Sequence, residues 1–385
     1  KSTWKNKEIG YGGDLTGIYF FVLIIGFFFI FFSKVKTTDK NVTSRISVRP
    51  FLSFLFLILL LYLATFRSQS VGTDYSMYNG FFFMTNQQLK AIYIENGYLL
   101  IYSIARWVNN FYIVPFISFL LFFVGIYRFS KEVELSTEVL LGFLVCSYLY
   151  CSSFNTIRQM SAIGIVFFAL SLYISDKILP KHRWLNIMLY VSIVYIASQF
   201  HASAWIALLL PFIEYIPISS TLVFWGGVLT TIGFFTKFIN NVIPRLVILF
   251  PHYLTKHNGI DSAFFVDQGS KGIVEFLPIL IQFIFLFLIC YYARRFIRTN
   301  KFISSGYLVY LLLFIGGGNA SIIRVQAYLL QLIIFFYGKY FQNDSESILH
   351  LKSSLVKFII ILFFAFYFIF RLFRNISGVV PFTLG

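Results

Sequence analysis

Three arginines stand apart from the basic clusters of this chain, each beside a long apolar run. They are Arg67, Arg158 in FNTIRQMSAIG, and Arg324 in GGGNASIIRVQAYLL. A guanidinium presents a planar fork that matches phosphate oxygens, and several together can hold a pyrophosphate at a membrane surface. Each one read alone is equally well a snorkelling residue or half of a structural pair. His201 is the one histidine of five inside a long apolar stretch, SQFHASAWIALLL. Its neutral imidazole can accept a proton near pH 7. A lone histidine in such a setting is nonetheless more often a structural hydrogen-bonding residue. Asp74 and Glu95 are the carboxylates of the polar stretch between two apolar runs. Either can act as a base or bind a sugar hydroxyl. The bland readings are a loop cap for Asp74 and a helix N-terminal charge for Glu95.

Other chemistries find little support. No P-loop, no GxGxxG after a strand and no GxSxG occurs. No carboxylate or second histidine lies at zinc-ligand spacing from His201, so no metal is expected. Cys146, Cys151 and Cys290 all lie in apolar stretches and contain no CxxC, which predicts neither a disulfide framework nor a thiolate site. The glycines at 316–318 interrupt an apolar run and read as a close-packing or helix-breaking element rather than a phosphate cradle.

The elements that must position these residues are membrane helices. Of 385 residues, 58% are hydrophobic and 12% charged, about half the charged share of a soluble domain. That composition excludes a soluble enzyme, a disordered tail and a disulfide scaffold. The aromatic share of 21% suits lipid-facing and interfacial surfaces. The formal net charge of +16 reads first as topology and headgroup contact, not as nucleic-acid binding. A crossing takes roughly 20 apolar residues, which predicts an all-α polytopic membrane protein of about twelve transmembrane helices. The expected spans are 17–33, 50–66, 111–129, 137–152, 156–176, 184–201, 202–216, 218–237, 273–293, 302–319, 321–338 and 353–371. Residues 1–385 then form a single multi-span domain, with no cleavable leader expected before the first apolar run.

Orientation follows from short basic loops. Lys34, Lys36, Lys40, Arg45 and Arg49 form one; Arg128 with Lys131, Lys177 with Lys181 and Arg183, and Arg294, Arg295, Arg298 with Lys301 form the others. All four fall on one side of the expected topology, the cytoplasmic side. Lys1, Lys5, Lys7, Arg371 and Arg374 count against it. The external side receives 67–110, in which 98–109 reads as interfacial or re-entrant, and 238–272, with an amphipathic piece at 241–254. The three separate arginines and His201 then share that external end.

In order along the chain, R67-x4-G72-x-D74-x3-Y78, E95-N-G97-Y98, N155-x2-R158-Q159, F200-H201-x-S203-A204 and R324-x3-Y328 form a set that resembles the EpsG-like family, grouped with Wzy-type O-antigen and exopolysaccharide polymerases. The resemblance covers roughly residues 17–340. It implies a GT-C-like all-helical membrane fold and a metal-free, cofactor-free glycosyltransferase acting on the periplasmic or outer face of the cytoplasmic membrane. Such an enzyme transfers a glycan from undecaprenyl pyrophosphate to the non-reducing end of a lipid-linked repeat unit. Both donor and acceptor are then undecaprenyl-pyrophosphate-linked oligosaccharides, and a chain-length regulator is a possible partner. On this reading Arg67, Arg158 and Arg324 match the pyrophosphate charge. His201 is the first choice of base and Asp74 the second. Glu95, Gln159 and Tyr78 meet sugar or phosphate, and Tyr75, Tyr78 and Trp205 offer rings to stack on sugars. An O-antigen ligase uses the same donor with a different acceptor. A lipid-linked oligosaccharide flippase also wants a cationic cavity, but symmetric halves with charges near mid-bilayer are expected of it.

Overall fold

The computed structural model describes residues 14–32, 48–175, 183–237, 272–317, 319–343 and 353–384. The amphipathic piece expected at 241–254 and most of the external segment 238–272 lie outside the described residues. The N-terminal lysines and the lysines of the first and third basic loops do too.

The described chain is helical throughout, as its apolar runs predict. α1 (Gly17–Phe32) and α2 (Val48–Thr65) are followed by three short helices, α3 (Tyr75–Phe82), α4 (Asn86–Ala91) and α5 (Asn96–Trp107). Next come α6 (Ile113–Glu132), α7 (Thr137–Cys146), α8 (Leu149–Ser152), a 3-10 turn (Ser153–Asn155), α9 (Ile157–Ile174) and α10 (Arg183–Ser198). A 3-10 helix (Ala202–Tyr215), α11 (Ser220–Thr236), α12 (Ile273–Tyr292), α13 (Arg294–Thr299) and α14 (Lys301–Leu312) follow. A second 3-10 turn (Leu313–Gly316), α15 (Ala320–Leu330), α16 (Leu332–Gln342) and α17 (Ser353–Phe373) complete the order. Among the described residues the sole extended pairing is an isolated bridge between Arg67 and Leu384.

Each of the twelve expected spans coincides with an apolar helix or helix pair, yet they are not equal. Among the described residues, five helices are long and apolar enough to cross a membrane: Ile113–Glu132, Ile157–Ile174, Ile273–Tyr292, Ile322–Gln342 and Ser353–Phe373. Thr137–Cys146 with Leu149–Asn155 makes a sixth if a 66° bend is allowed. The span expected at 137–152 is thus bent. Its pivot is Tyr148, which holds a left-handed φ of 63°. Six further apolar helices run to between 10 and 17 residues. Residues 98–107 of the stretch 98–109 lie in α5, whose Arg106 donates from Nη1 to the Met84 carbonyl at 2.8 Å and from Nη2 to Asn86.

α6 and α9 meet at glycines. A Cβ on Gly125 would lie 1.8 Å from the Gly164 carbonyl oxygen, and one on Gly164 would lie 2.3 Å from that of Leu121. Backbone packs on backbone there, so α9 is fixed in height and tilt against α6. Gly164→Ala is therefore expected to destabilise the protein by about 1–3 kcal/mol or more, since backbone cannot give way as a side chain does. Gly80→Ala, where a Cβ meets nothing within 4 Å, should be neutral. Thermal unfolding in detergent compares the two, and equal midpoints would refute the close crossing.

The packing gives the bundle two chemically distinct ends. At one, Arg128 pairs with Glu132 at 2.5 Å, Leu135 packs on Gly338, and Phe296 meets Tyr340. This gathers Arg128, Lys131, Lys339 and the α13 arginines together. At the other end, residues 67–74, the start of α9, the turn after α10 and residues 375–384 converge. Ser68 N–H donates to the Thr383 carbonyl at 2.8 Å, and Gly72 N–H to that of Gly378 at 2.8 Å. Asn155 ties the two segments: Oδ1 accepts from Thr73 N–H at 2.8 Å and Nδ2 donates to the Ser377 carbonyl at 2.8 Å. Gly72, at φ +97°, is required here because a Cβ would lie 2.8 Å from Asn155 Oδ1. α17 returns the chain to this second end, so Arg371 and Arg374 do lie opposite the basic clusters. Arg371 is accommodated by donation to the Tyr367 hydroxyl at 3.0 Å and by the Tyr148 ring 5.0 Å away.

Candidate active site

The polar end is assembled from three helix starts. Glu95 precedes α5, Arg158 lies in the first turn of α9, and Ala202 opens the 3-10 helix. A helix start carries partial positive charge and unpaired N–H groups, a setting that suits a carboxylate. Glu95 fills it without capping its own helix. Its Oε2 accepts from Arg158 Nη1 at 2.6 Å and its Oε1 from Ala202 N–H at 3.1 Å. One carboxylate thus ties two other elements to α5. The approach depends on Gly97, whose N–H donates to the Gln199 carbonyl at 2.7 Å and whose Cβ position lies 3.0 Å from the Phe200 ring.

Arg158 is only partly neutralised by this pair. Its side chain is 21% exposed, and its buried Nε has no hydrogen-bond partner among the described residues. Tyr78, in α3, is electrostatically coupled to Arg158. Burial pushes the Tyr78 hydroxyl above its ordinary pKa while Arg158 pulls it down, so it stays protonated; Asp74 and Glu95 also act on it. Asp74 is therefore close to the cluster. It stands at the N-cap of α3 but makes no capping hydrogen bond, and it accepts from the Thr73 hydroxyl at 3.0 Å.

A second polar row runs through the 3-10 helix start. The His201 ring caps that helix, its Nδ1 accepting from Ser203 N–H at 3.3 Å. Ser203 Oγ lies 2.6 Å from the same Nδ1 and 3.2 Å from the Tyr328 hydroxyl. Gln159 Nε2 donates to the Arg324 carbonyl at 2.8 Å and to Ser203 Oγ at 3.5 Å. Arg324 and Tyr328 are one turn apart on α15, so the face that reaches Ser203 also carries Arg324. Gly317, at φ +59°, breaks the chain between α14 and α15, and Gly316 packs against Ile322, both as the glycine run predicts.

The structure therefore brings together Asp74, Tyr78, Glu95, Arg158, Gln159, His201 and the Arg324 backbone. Arg67 is corrected. It is 0% exposed and donates from Nε to the Val71 carbonyl at 3.2 Å, from Nη2 to that of Phe154 at 3.0 Å and from Nη1 to that of Ala64. Tyr75 lies 3.8 Å and Phe154 4.5 Å from the guanidinium carbon. With every nitrogen on a carbonyl and rings against it, Arg67 clamps the loop and has no face for a phosphate. Tyr75 is buried by that clamp and offers no ring to a sugar. Trp205, 47% exposed, keeps an open face beside Tyr195. Ser203 and Tyr328 join this polar row although their residue types alone assign them no role. The signal was H-x-S at a helix start, the spacing at which a side chain reaches back to a cap.

Polar and charged side chains from distant parts of the sequence, gathered at one end of an apolar helical bundle, define a multi-pass membrane protein with a surface site. The EpsG family model matches residues 50–384, and the chain belongs to the EpsG family, which makes it polysaccharide polymerase-like. Neither the curated proteins nor the solved structures contain a match to the chain.

Proposed function

We propose that this protein is a Wzy-type polysaccharide polymerase of the cytoplasmic membrane, with its active site on the external face. The observation that carries the reading is Arg158: a buried-edge guanidinium paired on one side by Glu95 and still 21% exposed. A guanidinium has five N–H donors, so the pair with Glu95 leaves others for a phosphate oxygen. Arg324 on the neighbouring α15 face supplies a second positive charge. Twelve crossings are part of the same reading. The 3-10 helix of 14 residues reaches about 28 Å at roughly 2.0 Å per residue, close to the thickness of the hydrocarbon core.

The proposed reaction needs no metal or cofactor. The acceptor hydroxyl oxygen forms a bond to the anomeric carbon of the donor glycan. The bond from that carbon to the pyrophosphate oxygen breaks, and its electron pair leaves with undecaprenyl pyrophosphate. Arg158 and Arg324 stabilise the charge that develops on the leaving group. The acceptor proton goes to the Asp74 carboxylate, which, unlike Glu95, forms no ion pair among the described residues. Deleting the gene in its host tests the function. Polymerase loss collapses the surface-glycan ladder to a single repeat unit, whereas a ligase defect leaves long lipid-linked chains and a flippase defect leaves none outside.

A further inference from the structure

Asn155 stands just ahead of Arg158, at the end of the 3-10 turn Ser153–Asn155 that leads into α9. Its side chain reaches the loop that carries Asp74. Thr73, the neighbour of Asp74, donates its backbone N–H to Asn155 Oδ1 at 2.8 Å, and Asn155 Nδ2 donates to the Ser377 carbonyl at 2.8 Å. A peptide N–H only donates and a peptide carbonyl only accepts, so the two contacts together fix which end of the amide is oxygen. Aspartate has the same size and the acceptor, but it lacks the donor and would set a carboxylate oxygen against the Ser377 carbonyl. The surrounding backbone makes room for the amide. A Cβ on Gly72 would lie 2.8 Å from Asn155 Oδ1, and one on Gly378, at φ +61°, would lie 3.0 Å from Thr73 Cγ2. The preceding residue, Phe154, gives its carbonyl to Arg67 Nη2 at 3.0 Å, so the turn before α9 grips the loop at two points.

We propose that Asn155 is a positioning residue for glycosyl transfer: its amide holds Thr73 to the start of α9 and so sets the Asp74 carboxylate against the Arg158 guanidinium, with the Ser377 carbonyl holding the amide. The segment 375–384, remote in sequence, is thereby part of the frame of the site. This deepens the polymerase reading and rests on it for the roles of Asp74 and Arg158. The hydrogen-bond arrangement does not. Asn155 touches no substrate and moves no proton. The base must meet the acceptor hydroxyl while the guanidinium meets the leaving pyrophosphate, so the two keep a set separation through the step. Asp74 makes no capping hydrogen bond to α3, and its side chain accepts from the Thr73 hydroxyl at 3.0 Å, so its place is inherited from Thr73. A misplacement of about 1 Å can cost about 10²-fold in rate.

Two measurements on the full-length protein in nanodiscs test the proposal. The first is polymerisation of lipid-linked repeat units. N155A removes both contacts, and N155D keeps the acceptor without the donor. Each should lower kcat by about 10–10²-fold while KM stays within about twofold of wild type. In a D74N background neither should lower kcat by more than about twofold again, because the amide acts through Asp74. Where one variant fails to fold, the other carries the same comparison. A loss that multiplies in full with that of D74N, or a folded N155A or N155D with kcat within about twofold of wild type, overturns the positioning role. The second measurement is hydrogen exchange read by mass spectrometry. Thr73 is exposed, so its N–H owes its protection to the Asn155 contact. N155A should speed exchange in 69–76 by about tenfold or more and leave 157–174 unchanged. An unprotected Thr73 N–H in the wild-type protein, or no response to N155A, overturns the arrangement. If exchange behaves as stated but the wild-type protein polymerises nothing, the polymerase reading fails and the hydrogen-bond arrangement stands.

Discussion

Arg158→Lys is expected to lower polymerisation by about 10²–10³-fold, the loss that follows removal of one oriented donor from a developing charge. Lysine keeps the charge but not the fork. Arg158 uses that fork in a crowded setting: Nη1 on Glu95 at 2.6 Å, the Tyr78 hydroxyl coupled to its charge, and a buried Nε without a partner among the described residues. A point charge on a flexible stem can satisfy Glu95 and then lacks the second donor. Glu95→Gln should also be severe, because it leaves Arg158 uncompensated while keeping an oxygen for Ala202 N–H. The two residues are in contact, so the double variant should lose less than the product of the single losses. Steady-state rates with purified lipid-linked repeat units give all three values. A lysine variant within twofold of wild type would mark Arg158 as a structural pair only.

Asp74→Asn carries the other large effect. A positioned general base contributes about 10²–10⁴-fold, and asparagine removes it at constant size. Stability should hardly change, because the Asp74 side chain makes no capping hydrogen bond to α3 and its contact with the Thr73 hydroxyl can be kept by an amide oxygen. The loss should appear in kcat with KM little altered, whereas a sugar-binding role would raise KM instead. A variant that unfolds at lower temperature and keeps its kcat would reassign Asp74 to the loop.

Much of the bundle was legible because span length and apolar runs are properties of local sequence. The twelve apolar segments fall on helices, and the turn at His201 lies where the expected spans 184–201 and 202–216 meet. Three features needed the folded chain. The bend at Tyr148 rests on one left-handed residue in an apolar run, which hydropathy does not register. Arg67 has the same residue type and sequence setting as Arg158. What separates them is that three carbonyls, one of them from Phe154, surround the first and a carboxylate from Glu95 meets the second. Arg371, counted against the topology by its charge, sits at the site end because Tyr367 and Tyr148 receive it.

The most direct test of the central claim is reconstitution. The purified protein in nanodiscs, given undecaprenyl-pyrophosphate-linked repeat units of its host glycan and no metal or nucleotide sugar, should produce a ladder of lengthening chains with release of undecaprenyl pyrophosphate, and R158K should abolish most of it. Repeat units recovered unjoined by an otherwise folded wild-type protein, or joined equally well by R158K, would contradict the account.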